Sequence, residues 1–343
     1  MKKKSKTFKI IRMVVLDILM LGALLLLFAY FHHARIEEIV PQEIVSAVTP
    51  TPEPTATPEP TREPEKNETD ISVTPEQTEA TPEPFFDMNG LLKGKYVEKF
   101  TAEKNLGESS YTSKNISLTV TTRDDYGCKV HVADIYVNDI NCFRTAVYSE
   151  FDKRYMSTLD MANAAGAIVA VSGDHFYAHR QAGVFAVRNG MVYGDNPKKN
   201  QDVCALYKDG TMEVLKGGSY NIQAVYNKDP WQIWCFGPGL LDENGKALKN
   251  INSTVAEVNP RSSVGYFEPG HYCFIMVEGR SKESPGVTLD QLAQIYEDLG
   301  CKVAYNLDGG QTAVMTFNGM GWSKLLGNGR EVSDILYIKD LEG

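Results

Sequence analysis

The stretch Cys301-Lys302-Val303-Ala304-Tyr305-Asn306-Leu307-Asp308-Gly309-Gly310 decides how this chain is read. A short apolar strand runs into an acid, and two glycines follow at once. Paired glycines permit a tight turn with positive φ. The acid therefore sits at a strand's end, where sites form, and not in a core. Just upstream, Thr288 and Gln291 make a capping box for a helix that runs to Leu299. Leu289, Leu292, Ala293, Tyr296 and Leu299 share one helical face, and Gly300 is the stop. The unit reads as capped helix, stopping glycine, apolar strand and acidic turn.

The same plan occurs earlier. Ser157 caps a helix reaching Ala165, with Asp160 three residues on and Gly166 as the stop. A strand over 167–171 then delivers Ser172-Gly173-Asp174-His175-Phe176-Tyr177. The step from stopping glycine to acid is eight in both units, since 174 − 166 = 8 and 308 − 300 = 8. This repetition predicts related places in one sheet, with Asp174 and Asp308 aimed at one cleft. The β-branched alternation of 117–121 and 129–137 predicts two further strands. Turn signals at Asn189-Gly190, Asp209-Gly210 and Asn244-Gly245 separate others. The fold class expected is α+β: a mixed, sheet-rich single domain with a few helices, over 86–343.

Three segments precede that domain. Residues 1–9 form a basic tail. Residues 10–31 are apolar apart from Arg12 and Asp17, long enough to span a bilayer as a helix. The lysines ahead of it predict a cytoplasmic N-terminus and an extracellular remainder. A cleaved signal peptide is the competing reading, but no small-x-small site follows the apolar run. Asp17 is placed near the cytoplasmic interface and given no function. Residues 32–85 read as a Pro/Thr/Glu-rich extracellular linker, extended by its prolines and by like charges.

The formal net charge of −9 is uneven. Residues 1–40 carry about +4 and residues 41–84 about −8, leaving about −5 for the rest, since −9 − 4 + 8 = −5. A mildly acidic domain is a poor nucleic-acid binder, so any anion must be held by a few placed arginines. The six cysteines include no C-x-x-C pair, which argues against a zinc site. Disulfides and buried thiols both remain open for them.

Four segments carry the chemistry: Ser172 to Tyr177; Phe236-Gly237-Pro238-Gly239; Asn259-Pro260-Arg261-Ser262; and Glu278-Gly279-Arg280 leading through the Thr288 helix to Asp308-Gly309-Gly310. In this order and spacing they resemble the phosphodiester glycosidase family, over roughly 165–340. The resemblance implies hydrolysis of a sugar joined through its anomeric carbon to a phosphodiester, with N-acetylglucosamine on an envelope or exported glycoconjugate as the family-based expectation. Arginine offers a planar fork for the phosphate, which puts forward Arg261 and Arg280. An oxocarbenium-like transition state needs a carboxylate, which puts forward Asp308 and Asp174, with Glu278 as a third. His175 is placed as a proton shuttle. Asn306, Gly309, Gly310, Thr312, Ser262, Asn259 and Ser172 are the expected substrate-binding set. Phe176, Tyr177, Trp231, Trp234 and Trp322 are candidates for stacking on a sugar, though large aromatics are more often core.

Two departures from the family pattern are Ser172, where asparagine is common, and Gln311, where a third glycine is common. They favour a competing reading, a module that binds or assembles envelope glycopolymer without cleaving it. No cofactor is expected; Ca²⁺ held by oxygen ligands is a minor alternative. The partners expected are a glycan phosphodiester or glycopolymer and, through the N-terminal helix, a membrane.

Overall fold

The computed structural model describes residues 2–29, 41–44, 95–151, 155–175, 184–326 and 329–341. The linker beyond 44 and the two candidate aromatics Phe176 and Tyr177 lie outside the described residues. Among the described residues there are three sheets, of six, seven and five strands. Every strand pairing among the described residues is antiparallel. Three α-helices accompany the sheets among the described residues of the domain, and the α+β, sheet-rich class is the one observed.

Local signals specify the two longer domain helices. In Thr158–Ala165 the Ser157 hydroxyl accepts the Asp160 N–H at 3.0 Å, and Gly166 closes the helix at φ 70°. In Leu289–Leu299 the Thr288/Gln291 box is complete, and Gly300 closes it at φ 84°. Leu289, Leu292, Ala293, Ile295 and Tyr296 are buried against Cys273, Ile275 and Val277 of the seven-stranded sheet. Each fully buried large aliphatic or aromatic side chain there contributes about 1.5–3 kcal/mol relative to exposure. Leu299, placed on the same face by its spacing, is only partly buried at the cluster's rim.

The strands the two helices deliver, Val169–Ser172 and Val303–Asn306, do not share a sheet. The first lies inside the five-stranded sheet; the second is the edge of the seven-stranded sheet. The single-sheet expectation is therefore corrected. Equal local spacing sets how each acid leaves its strand, but it does not choose the strand's neighbours.

The N-terminal apolar stretch is helical, Lys2–Ala29, and exposes Leu16, Leu19, Leu26 and Phe28 among others. Among the described residues no helix is long and apolar enough to cross a membrane, and positions 30–31 of the expected span lie outside them. The structure thus does not supply the span read from the sequence. All six cysteines are buried free thiols, with the Cys273 and Cys301 sulfurs 3.8 Å apart.

Candidate active site

The two acidic turns meet at the junction of two sheets. The Asp308 N–H donates to the Gly173 carbonyl at 2.9 Å. The Ser262 hydroxyl donates to the Ser172 carbonyl at 2.7 Å, and the Ser172 hydroxyl to the Asp308 carbonyl at 3.3 Å. Ser172 and Ser262 are both fully buried. They fasten the turns together and do not face an open cavity.

The two carboxylates diverge from that junction. Asp174 points inward. It accepts from Arg188 Nη2 at 2.6 Å and from the N–H groups of Cys235 and Phe236, the latter at 2.7 Å. Arg188 also pairs with Asp334, through Nε at 3.0 Å. Asp334 in turn accepts the Asp174 N–H at 2.7 Å. All three side chains are sealed from solvent. A Cβ on Gly173 would stand 2.4 Å from Asp334 Oδ1, so only glycine fits there. Burial opposes the charge on Arg188, and Asp334 and Asp174 more than offset it, so the guanidinium holds its proton above the ordinary range. This network fixes the 173–175 and 235–236 turns.

Asp308 instead borders a cavity of about 250 Å³, together with Arg280, Arg330, Asn259, Gln311 and Phe236. Arg330 Nη2 lies 3.1 Å from Asp308 Oδ2. Burial raises the Asp308 carboxyl to about 6, against the opposing pull of Arg330 and Thr312. The Thr312 hydroxyl also donates to the Gly309 carbonyl at 2.7 Å. Arg280 has φ 57°, and its Nη2 donates to Asn259 Oδ1 at 2.8 Å. Its guanidinium lies across Gly310, where a Cβ would be 3.3 Å from Nη2. At Gly309 a Cβ would be 2.5 Å from the Pro260 carbonyl. That carbonyl accepts the Gly310 N–H at 3.0 Å, so this amide is already engaged and does not open toward a phosphate.

Arg261 reaches the cavity wall, but its guanidinium serves the protein. It donates to the carbonyls of Val287 at 3.0 Å, Val255 at 2.8 Å, Ala256 at 3.2 Å and Glu257. At 2% exposure it is a positioning residue for the 255–257 loop. Arg330 takes the place in the cavity that the sequence reading gave to Arg261. Its signal in the sequence is Gly329-Arg330, which repeats the Gly279-Arg280 dipeptide.

A second cavity, of about 470 Å³, adjoins the first across Phe236, Thr254 and Val255. Asn200, Gln201, Asn252 and Ser253 give it a neutral polar lining. Asp202 is held there by Lys216 at 3.0 Å. His175 lines this cavity, and burial lowers its pKa below the ordinary histidine range. The Gln201 amide donates to the Cys235 carbonyl at 2.7 Å, while its buried Oε1 has no partner among the described residues. Asn306 is similar: its amide nitrogen donates to the Gly237 carbonyl at 2.9 Å, and its buried Oδ1 has no partner among the described residues.

Glu278 lines neither cavity. It accepts from the Lys324 N–H at 2.9 Å and stands 2.9 Å from His131 Nε2. Trp231 and Trp234 are core residues, with their indole N–H groups donating to the Phe143 carbonyl and to Thr145. Trp322 packs edge-on against Phe317, outside both cavities. Among the described residues no group of three His, Cys, Asp or Glu side chains is arranged to hold a metal ion.

The sequence profile of the phosphodiester glycosidase family matches residues 165–339. The chain belongs to the phosphodiester glycosidase family. The matched segment contains both acidic turns, the Arg188 network, Arg280 and Arg330. A curated relative, the SPbeta prophage-derived uncharacterized protein YomE of Bacillus subtilis strain 168, is 25% identical over 228 residues. That alignment covers 64% of this chain and 34% of YomE, so the chain spans about a third of the relative's length. Among solved structures, the catalytic domain of zebrafish N-acetylglucosamine-1-phosphodiester alpha-N-acetylglucosaminidase, auto-inhibited by its pro-peptide, superposes with a TM-score of 0.52. It is 18% identical, with 66% of this chain and 83% of that one covered, which establishes a shared fold. A hypothetical protein from Synechocystis gives a TM-score of 0.49 at 13% identity, covering 66% of this chain and 62% of its own.

Proposed function

We propose that this member of the family hydrolyses a sugar 1-phosphodiester, with the phosphate over Arg280 and Arg330 and the sugar in the adjoining polar cavity. The carrying observation is the pairing of Asp308, a carboxyl raised by burial, with two exposed guanidinium groups in one cavity. Arginine presents a forked donor suited to a phosphate. Asp308 is charged above about pH 6 and in that form accepts a proton from water. The water oxygen bonds to the anomeric carbon as the carbon–oxygen bond to phosphate breaks. The bond's electron pair stays on the phosphate oxygen, and the water proton passes through Asp308 to solvent. A departing phosphomonoester is stabilised as an anion by the arginines, so the reaction needs no strong general acid. This fits a cleft in which, of the two turn acids, Asp174 is committed to Arg188 and Asp308 faces the arginine-lined cavity.

The amides and hydroxyls of the second cavity suit a neutral polyhydroxyl ligand, and Phe236 on the shared wall offers an apolar face to a sugar ring. N-acetylglucosamine is the proposed sugar, on the strength of the zebrafish enzyme's name. The direct test is release of N-acetylglucosamine from its methyl 1-phosphodiester by the full chain. Saturable binding without release would select the non-catalytic glycopolymer reading instead. Arg330→Ala is expected to lower kcat/KM by about 100-fold through lost anion stabilisation. It should also move the acid limb of the pH–rate profile upward from about 6, because the cation that favours the Asp308 carboxylate is gone.

An extracellular domain on a membrane-held helix is also proposed, from the apolar stretch and its basic flank. Protease added to intact cells should then remove the domain; a protected domain would place it inside.

A further inference from the structure

Residues 41–44, between the N-terminal helix and the domain, are docked on the six-stranded sheet. Strand Gln42–Glu43 pairs antiparallel with Met191–Asp195, with Gln42 opposite Val192 and Glu43 opposite Met191. Ile44 packs on the cluster of buried residues that includes Phe185, Val187 and Val192. Without this strand, Met191–Asp195 would be the bare edge of the six-stranded sheet. A bare edge offers a row of unpaired N–H and C=O groups to any extended chain. Two paired residues and one isoleucine make a weak contact, but it is intramolecular, and tethering supplies an effective concentration in the millimolar range.

We infer that the Met191–Asp195 edge is a docking site for the chain's own residues 41–44, and that this contact sets how far the domain stands from the N-terminal helix. Ala29 ends the helix, and Gln42 begins the docked strand. The intervening residues 30–41 number 12, since 41 − 29 = 12, and span at most about 40 Å when fully stretched. If 41–44 were undocked, the connection would be residues 30–94, 65 residues with a limit of about 215 Å. The docked strand thus confines the domain near the helix. The inference is independent of the reaction proposed above.

The test is a cysteine pair in the full chain, in detergent solution. Glu43→Cys with Met191→Cys joins directly opposed residues, whose Cα separation in an antiparallel ladder suits a disulfide. The six native cysteines are buried and do not compete. Glu43→Cys with Val97→Cys is the control, because Val97 is exposed and outside this sheet. Mild oxidation is expected to cross-link the first pair within one chain, at least tenfold more than the control. A yield equal to the control would overturn the inference. Cross-linked dimers would overturn it too, by showing that the edge takes residues 41–44 of a second copy.

Discussion

Asp308→Asn is expected to lower turnover by about 1,000-fold, close to 4 kcal/mol of transition-state stabilisation, while making the folded protein more stable above pH 6. The two effects have one cause. Asp308 is pressed into a poorly solvated cavity wall, and burial raises its carboxyl to about 6. An unfolded aspartate titrates near 3.9. Between those two values the folded state binds more protons than the unfolded one, so wild-type stability falls as the pH rises from about 4 to about 6. The difference amounts to about 1–3 kcal/mol by pH 8. Asparagine is neutral throughout and escapes this decline. Its loss of the Arg330 ion pair costs less than about 1 kcal/mol, because that arginine is half exposed. Thermal melts at pH 8 and pH 4 check the point: the gain should be present at the first and gone at the second. Equal losses of activity and stability at pH 8 would make Asp308 a structural residue and remove the proposed base.

What could be read in the sequence was mostly local. Ser157, Gly166, Thr288, Gln291 and Gly300 act within a turn or two of chain, and each helix end lies where they put it. The same holds for the tight turns at Asn189-Gly190 and Gly210, where positive φ is observed. Sheet membership was not legible, because the strand before Asp174 finds its partners at 315–317 and 334–338, far along the chain. The division of labour among charges was equally hidden. Asp174 and Asp308 have the same local setting, and only the fold brings Arg188 to one and Arg330 to the other. Arg261 shows the converse. Its motif gave its importance, but its four partners are backbone carbonyls of residues 255–257 and 287, which no side-chain signal in the sequence announces.

Arg188→Ala is expected to destabilise the fold by about 3–5 kcal/mol, the range for removing one partner from a buried ion pair. The residue is an arginine at the end of an otherwise apolar strand, Phe185–Arg188, and its side chain is wholly enclosed. Its removal leaves Asp174 and Asp334 facing each other with no cation between them. Backbone donors at 174, 235 and 236 hold those carboxylates but do not neutralise them. The remedy open to the variant is to take up a proton, since burial and a like-charged neighbour both favour the neutral acid. The deficit should therefore be smaller at pH 5 than at pH 8, as measured by urea unfolding at both. Arg188→Lys keeps one charge but not the fork that reaches both acids, and an intermediate deficit is expected. Activity should fall in Arg188→Ala even where the protein remains folded. Asp174 anchors the Phe236 N–H, and Phe236 lies on the wall common to both cavities. A variant as stable as wild type at pH 8 would mean that the three buried charges do not hold the site together.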